Sequence, residues 1–386
     1  APMNLVIDPV QVITQGDTAL LSLSFDDPGG NDPHTVTVDW GDGSDPEVFN
    51  LAPGVQSLTE GHQYADDMPD GPGETPYSIN VTVADADGES VSGSTTVLVK
   101  NASPTVLFVR QPEMIDESGT AELLVAFADP GFPDEHTVTI NWGDGTADEV
   151  IILEVGTREQ LVTHVYDDDD PSVTPEDTYN ISINIADDDQ ADIDAATSVL
   201  VKNIDPSNLV IDPIAVIDEN GMAALNLAFD DPGPADTHRV IVDWGDDNVE
   251  TFNLAPGARL FDTVHQYEQD GQFTINVTVI DDDSGDVTGS TTVGVVNVPP
   301  TNLVIDPVEM IVEDETAILS LSFDDPGPLD THTVTVNWGD GSDPQDFDLA
   351  AGVTTLTAGH RYLDDTPSVT PQDVFDINVT VTDSGG

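Results

Sequence analysis

The chain has 386 residues, with seven Lys plus Arg against 75 Asp plus Glu and a formal net charge of -68 at pH 7. This charge excludes a nucleic-acid-binding surface, which needs clusters of basic side chains. Cysteine is absent, and no segment approaches the roughly 20 apolar residues that a membrane-spanning helix needs. Because the hydrophobic 38% is periodically placed, we expect a folded chain and not a disordered one.

An alternating apolar strand that ends in Trp-Gly-Asp occurs four times. The four tryptophans, at positions 40, 142, 244 and 338, are 102, 102 and 94 residues apart. A segment of about 100 residues can bury its own core, whereas repeats of about 20 to 50 residues cannot. We therefore predict four tandem domains with the boundaries 1–102, 103–204, 205–298 and 299–386.

Within each domain the apolar residues follow the two-residue period of a half-buried strand. In the first domain the period runs through 19–25, 34–40 and 77–83, and turn residues such as Asp-Asp-Pro-Gly separate the runs. About seven short strands per domain predict an all-β sandwich. Trp40 continues the inward phase of its strand, which favours core packing over an exposed sugar-binding platform.

The fourth domain ends at residue 386, before a closing strand equivalent to 95–99 of the first domain. A sandwich without that strand exposes an unpaired edge. We expect either that the natural chain continues or that another copy donates the missing strand, as in strand-complemented fibres.

Three elements recur in the same order in all four domains. They are the Trp-Gly-Asp-Gly turn, a downstream His-x-Tyr such as His62/Tyr64, and an Ile-Asn-Val-Thr-Val-like strand that runs into Asp residues. Together they resemble the PKD (polycystic kidney disease) domain family over essentially the whole chain. Two departures concern the turn: Trp abuts Gly directly, and the third copy reads Gly245-Asp246-Asp247.

The resemblance implies four tandem immunoglobulin-like, seven-stranded β-sandwiches, the last lacking its closing strand. It also implies a bacterial or archaeal extracellular or cell-surface protein, in which such domains serve as spacers or adhesive modules and sometimes bind calcium. It implies no catalytic activity, and we expect no enzyme.

The eight histidines occur two per domain, which leaves two interpretations. They can be metal ligands or bases, or they can pack and form hydrogen bonds. His34 shares the inward phase of its strand, and His62 lies on the same strand face as Tyr64, so the second interpretation is favoured. The Tyr hydroxyl is expected to tie down a nearby loop, as a tyrosine corner does.

Five asparagines stand in Asn-x-Ser/Thr sequences, which fit glycosylation acceptors, although plain polarity of the strand surface explains them as well. They are Asn80, Asn101, Asn180, Asn276 and Asn378.

Calcium binding is the strongest chemical hypothesis for the acidic loops, because Ca²⁺ takes about six to eight oxygen ligands. The loops at the end where the chain leaves one domain must face the loops where it enters the next, across short linkers stiffened by proline. Calcium there would stiffen the connections between otherwise independent domains, so that the chain becomes a rod. The alternatives are a salt-screened acidic face, or calcium bound within one domain. The predicted ligands are Asp66, Asp67, Asn101, Asp129, Asp187 and Asp189 at the first junction; Asp168, Asp169, Asn203, Asp230, Asp281 and Asp283 at the second; and Asp270, Asn297, Asp324 and Asp383 at the third.

These observations predict a non-catalytic structural or adhesive segment of a long extracellular or cell-surface repeat protein, stiffened by calcium and able to form a filament. Its partners would be further repeats, other copies of itself, or surface glycans and matrix. One alternative is a polymer-binding accessory region of a secreted depolymerase. Another is a surface-layer protein of a halophile, whose acidity serves solvation.

Overall fold

The computed structural model describes residues 1–67, 74–169, 174–363 and 372–385. These residues form 30 β-strands and no helix, and none of them therefore lies in a helix that could cross a membrane. The chain divides into two compact units, Ala1–Ser172 with Glu176–Lys202 and Val173–Pro175 with Asn203–Gly386. Each unit holds two sandwiches. The predicted all-β fold of tandem immunoglobulin-like sandwiches is confirmed.

The first unit contains strands β1 to β16, eight per sandwich. Those of the first sandwich are β1 (Met3–Ile7), β2 (Ile13–Thr14), β3 (Thr18–Asp26), β4 (His34–Asp39), β5 (Glu47–Leu51), β6 (Ser57–Gln63), β7 (Glu74–Asp85) and β8 (Ser90–Lys100). Those of the second are β9 (Thr105–Arg110), β10 (Ile115–Asp116), β11 (Thr120–Ala128), β12 (His136–Asn141), β13 (Glu149–Leu153), β14 (Glu159–Val165), β15 (Glu176–Asp187) and β16 (Asp192–Lys202).

Each of these sandwiches packs a three-stranded sheet on a five-stranded one. The first has the orders β1-β3-β6 and β2-β8-β7-β4-β5, and the second repeats this pattern. The count is eight strands and not seven, because the chain crosses from one sheet to the other after β1. It then adds the two-residue strand β2, which pairs in parallel with the end of β8. So short a strand leaves no periodic pattern in the sequence.

The alternating residues of the two sheets fill the core between them. Trp40 is fully buried and Trp142 is 1% exposed, and both lie among the inward aliphatic side chains of their sandwiches. The prediction that tryptophan packs in the core is confirmed. Burial of an aromatic side chain of this size contributes strongly to the stability of each sandwich.

The second unit contains β17 to β30 and repeats the same pairing. The third sandwich has β17 (Ser207–Ile211), β18 (Ile217–Asp218), β19 (Met222–Asp230), β20 (His238–Asp243), β21 (Val249–Leu254), β22 (Leu260–Gln266), β23 (Gly271–Asp281) and β24 (Asp286–Val296). The fourth has β25 (Thr301–Ile305), β26 (Thr316–Asp324), β27 (His332–Asn337), β28 (Gln345–Leu349), β29 (Thr355–Arg361) and β30 (Asn378–Asp383).

The described part of the fourth sandwich forms two three-stranded sheets, β25-β26-β29 and β28-β27-β30. Strand β30 pairs with β27 so that His332 faces Asp383, as His34 faces Asp85 in the first sandwich. Trp338 is again fully buried. The fourth sandwich therefore repeats the register of the first in the strands that it shares with it.

Candidate metal centre

Loops of the first and second sandwiches meet inside the first unit, and we call this meeting place the first junction. Gln15, at the end of β2, is placed there because its backbone N–H donates to the carbonyl of Lys100 over 2.8 Å. Asn101 follows β8 directly, and Asp67 lies three residues beyond Tyr64. The short parallel pairing of β2 with β8 thus places Gln15 and Asn101 at the first junction.

The second sandwich contributes an acidic loop between β11 and β12. The Asp129 carboxylate accepts from the N–H of Gly131 at 2.8 Å and contacts His136 Nε2 at 3.0 Å. Arg158 Nη2 donates to the carbonyl of Gly131 at 2.6 Å. The loop is therefore held in shape by its own sandwich, and it carries the 2%-exposed Asp134 to the junction.

Two amides donate across the first junction to these carboxylates. Gln15 Nε2 lies 2.6 Å from Asp134 Oδ2, and Asn101 Nδ2 lies 3.0 Å from Asp187 Oδ2. Charge-assisted hydrogen bonds of this kind are stronger than neutral ones. They hold the two sandwiches together through amide donors on the first and carboxylate acceptors on the second.

Other oxygen atoms at the first junction are buried without a compensating donor. Asp67 is hydrogen-bonded to Asp189, and burial followed by the proximity of Asp189 raises the pKa of Asp67 to about 7. Burial also raises the pKa of Asp134 to about 6. Within the described residues, Asp67 Oδ1, Gln15 Oε1 and Asn101 Oδ1 have no hydrogen-bond partner. Buried oxygens of this kind are costly unless a donor or a cation meets them.

Carboxylate oxygens converge closely enough at this junction to bind one ion. Asp129, Asp134 and Asp187 each offer an atom within 4.8 Å of the others, as do Asp134, Asp188 and Asp189. Carboxylate and amide oxygens are the ligands that hard divalent cations prefer. The structure thus brings together Asp129, Asp187 and Asp189 of the predicted set with Asp67 and Asn101. Asp66 is half-buried beside them, and its carbonyl accepts from the hydroxyl of Tyr77 at 3.0 Å.

The residues predicted for the second junction fall in different units, and each set is described by itself. In the first unit, Asp168 and Asp169 form an acidic group with Glu117. In the second unit, Asn203 Nδ2 donates to Asp281 Oδ2 at 3.0 Å, and Asp283 is 5% exposed. The Asn203 contact repeats that of Asn101 with Asp187.

The third and fourth sandwiches meet inside the second unit at what we call the third junction. Asn297 Nδ2 donates to the Asp383 carboxylate at 3.1 and 3.2 Å. Glu219 of the third sandwich and Asp325 and Asp330 of the fourth offer oxygens within 4.8 Å of one another. Burial, followed by the charges of Asp325 and Asp383, raises the pKa of Asp330. The half-buried Asp270, also predicted, adds a smaller effect in the same direction.

Two predicted ligands lie one residue away from the acidic groups. Asp230 and Asp324 end their strands on the exposed side, where they accept from Asn208 and Asn302. Because neighbouring strand residues point to opposite faces, the next residue turns inward. Asp231 lies with Asp236 and His238, and Asp325 lies with Glu219 and Asp330. In each Asp-Asp pair the sequence predicted the first residue as a ligand, and the structure places the second in the acidic group.

Sequence reasoning also missed two recurring positions. One is Gln15 and its equivalents Glu117 and Glu219, which follow the two-residue strand. The other is the acid two residues before the first histidine of each domain, for example Asp134 before His136; it is buried in the second, third and fourth domains and exposed in the first. The recurrence of Asp-x-His in all four domains was a usable signal for the second position.

The histidines pack and form hydrogen bonds. His62 stacks on Trp40 at 4.8 Å with an interplanar angle of 8°, and its Nε2 contacts Asp42 at 2.7 Å. The hydroxyl of Tyr64 donates to the carbonyl of Trp40 at 2.8 Å. These contacts tie the Trp-Gly-Asp turn to strand β6, in agreement with the structural interpretation of the motif.

The five Asn-x-Ser/Thr asparagines occupy two kinds of position. Asn101 is half-buried, and its amide nitrogen is engaged at the first junction by the bond to Asp187. A glycan on that nitrogen would break the contact. The other four are exposed residues on one sheet surface of their sandwiches: Asn80, Asn180, Asn276 and Asn378.

No protein-family model and no curated protein matches the chain. A solved tetra-tandem repeat from the extending region of a large adhesion protein is 16% identical, with a TM-score of 0.41, over 97% of this chain and 95% of that one. The FN1–FN3 domains of chicken CNTN1 are 10% identical with a TM-score of 0.23, over 76% of this chain and 98% of that one. Escherichia coli alpha-2-macroglobulin activated by porcine elastase is 10% identical with a TM-score of 0.20, over 99% of this chain and 44% of that one. At these scores the similarities assign no function, and the PKD resemblance stays a prediction.

Proposed function

We propose that this chain is a non-catalytic structural and adhesive segment of an extracellular or cell-surface repeat protein, whose acidic junctions bind calcium. The observation that carries the proposal is the set of buried oxygens that converge where successive sandwiches meet. Asp67, Asp134 and Asp330 are each 2% exposed or less. A bound divalent cation would offset the cost of burying these carboxylates and would restrict movement between the sandwiches.

The chemistry of the ligands favours calcium over a transition metal. Carboxylate oxygens dominate the acidic groups, the chain has no cysteine, and the histidine Nε2 atoms already contact aspartates. Calcium accepts such oxygen-rich sites with flexible geometry, whereas softer metals prefer sulfur and nitrogen ligands.

Burial distinguishes this proposal from acidity that serves only solvation. A halophile's acidic surface acts through exposed, hydrated carboxylates, and much of the acidity here is of that kind. Asp134 and Asp330 are different, because they are removed from water at the contact between two sandwiches. A salt-screened surface gives no reason to place carboxylates there.

An array of sandwiches with stiffened junctions would hold a terminal binding region away from a surface, or would assemble with further copies into a filament. The repeated sandwiches and the PKD resemblance support this mechanical role. Partners of the proposed role are further repeats, other copies of the chain, and surface glycans or matrix.

Isothermal titration calorimetry on the whole chain tests the calcium proposal. We expect calcium to bind in low-salt buffer, and Asp330→Asn to reduce the number of bound ions. Asp324→Asn is the matched control, because it removes an equal charge from an exposed residue of the same sandwich. If both variants bind as many ions as the parent, or if the parent binds none, the proposed metal centre is wrong.

A further inference from the structure

The residue that follows the two-residue strand occupies the same place at the first and third junctions. The backbone N–H of Gln15 donates to the carbonyl of Lys100 at 2.8 Å, and that of Glu219 donates to the carbonyl of Val296 at 2.9 Å. Both side chains then reach the acidic loop of the following sandwich. The first domain therefore has an amide where the third has a carboxylate.

At the first junction this side chain forms a direct contact. Gln15 is 1% exposed, and its Nε2 donates to Asp134 Oδ2 at 2.6 Å. An amide donor meets a carboxylate acceptor, so the contact needs no further positive charge.

At the third junction two carboxylates face each other. Glu219 is 3% exposed and Asp330 is 1% exposed. Glu219 Oε1 accepts from the N–H of Val298 at 2.7 Å, and Asp330 Oδ1 accepts from Ser384 at 3.5 Å. Among the described residues no N–H or hydroxyl group donates to their other oxygens, Oε2 and Oδ2, so these two carboxyls can hydrogen-bond only to each other, through a shared proton.

These two oxygens point into one small space. A Cβ placed on Gly327 would lie 2.4 Å from Asp330 Oδ2 and 2.7 Å from Glu219 Oε2. Two ionised carboxylates this close repel each other strongly unless a proton or a cation lies between them. Asp325 adds a third carboxylate, so that one oxygen atom of each of the three lies within 4.8 Å of the others.

The following sandwiches also differ in a nearby arginine. The backbone carbonyl of Arg158 accepts from the N–H of Phe127, and the Arg158 side chain donates to the acidic loop of the second sandwich. In the fourth sandwich the equivalent backbone bond runs from the N–H of Phe323 to the carbonyl of Thr354, whose side chain is uncharged. The third junction therefore lacks two of the groups that balance the acid at the first.

We propose that this position sets how each junction is held: Gln15 makes a contact independent of cations, whereas Glu219 forms with Asp325 and Asp330 a divalent-cation site that holds the third junction only when it is occupied. This assignment rests on the proposed function and deepens it. It makes calcium dependence a property of individual junctions and not of the acidic array as a whole.

Spin-label distance measurements on the whole chain test the assignment. Because the protein has no cysteine, labels attach only where cysteine is introduced. Ser57 with Glu159 spans the first junction, and Leu260 with Thr355 spans the third; all four are exposed first residues of equivalent strands. Asp67→Asn is included in every sample, because it removes the other pair of facing carboxyl groups at the first junction, Asp67 and Asp189.

In chelator we expect a narrow distance distribution across the first junction and a broad one across the third. Calcium should narrow the distance distribution across the third junction only. Gln15→Glu should make the first junction require calcium, and Glu219→Gln should remove that requirement from the third. Near-ultraviolet circular dichroism of the buried tryptophans confirms that each nearly isosteric variant is folded.

The possible failures differ from one another. An equal calcium response at both junctions, unchanged by both substitutions, overturns this assignment and leaves the proposed function intact. A third junction that stays broad in calcium while calorimetry detects no binding overturns both. A narrow third junction in chelator at neutral pH overturns the assignment, because a shared proton would then suffice.

Discussion

At the scale of single residues, each sandwich is organised by a tyrosine whose hydroxyl reaches the end of the Trp-containing strand. Tyr166 is 1% exposed, and its hydroxyl donates to the carbonyl of Trp142 at 2.8 Å. Burial raises the pKa of Tyr166, so the hydroxyl stays a donor. The residue therefore joins the core to the turn that carries the repeated motif.

Tyr166→Phe should lower the free energy of opening of strand β12 by about 1 to 3 kcal/mol, because it leaves the buried Trp142 carbonyl without a donor. Hydrogen exchange of amides in β12 measures this loss. Tyr179→Phe is the control, since Phe273 occupies the equivalent place in the third sandwich. Equal effects of the two changes would show that the Trp142 contact has no special role.

Protonation of the buried acids predicts a pH dependence. Burial and Asp189 raise the pKa of Asp67 to about 7, and burial raises that of Asp134 to about 6. An unfolded aspartate titrates near pH 3.9. The folded state therefore holds these protons more tightly, and the resulting stability is fully present below about pH 4 and is lost as the pH rises through 6 and 7.

In chelator, the melting temperature of the first unit should fall between pH 5 and pH 8, and calcium should reverse the fall by replacing the protons. Calorimetry at constant ionic strength measures this. Asp67→Asn should flatten the decline, because its side chain does not titrate. An unchanged slope in that variant would assign the decline to general charge repulsion instead.

At the scale of elements, the turn after each Trp explains why the repeats tolerate one departure and not another. Gly41 has φ 81°, and a Cβ there would lie 2.5 Å from the carbonyl oxygen of Ser78. Gly43 has φ 85° but nothing within 4 Å. The third sandwich has Asp247, with φ 70°, where the first has Gly43, and it keeps Gly245 where the first has Gly41.

Gly41→Ala should therefore destabilise the first sandwich more than Gly43→Ala. Both changes cost about 1 to 2 kcal/mol for a left-handed backbone, and only the first adds overpacking of about 1 to 3 kcal/mol. Urea unfolding followed by hydrogen exchange in β4 and β7 measures the difference. Equal losses would contradict the close approach to Ser78.

The sequence predicted the elements better than the junctions. Alternation over 19–25 and 34–40 identified the core strands, because side chains of a half-buried strand alternate between core and solvent. It could not reveal β2, whose two residues have no period. It therefore could not place Gln15, and it gave no basis for choosing between Asp230 and Asp231, because that choice requires knowing where a strand ends.

At the scale of the whole molecule, the acidic chain buries carboxylates where the two sandwiches of each unit meet. Buried carboxylates at the first and third junctions, such as Asp134 and Asp330, are the main reason to expect that calcium binds there. We expect it to control movement between the sandwiches at the third junction, where Glu219 faces Asp330, and not at the first, where Gln15 bonds directly to Asp134.

Small-angle scattering of the whole chain, in calcium and then in excess chelator, measures whether calcium stiffens the array of sandwiches. We expect a larger maximum dimension in calcium, and a smaller one with the scattering of a flexible chain after chelation. Magnesium and added sodium chloride at matched ionic strength control for simple screening. If the maximum dimension is the same in calcium and in chelator, calcium does not stiffen the chain and the proposed role of the junctions is wrong.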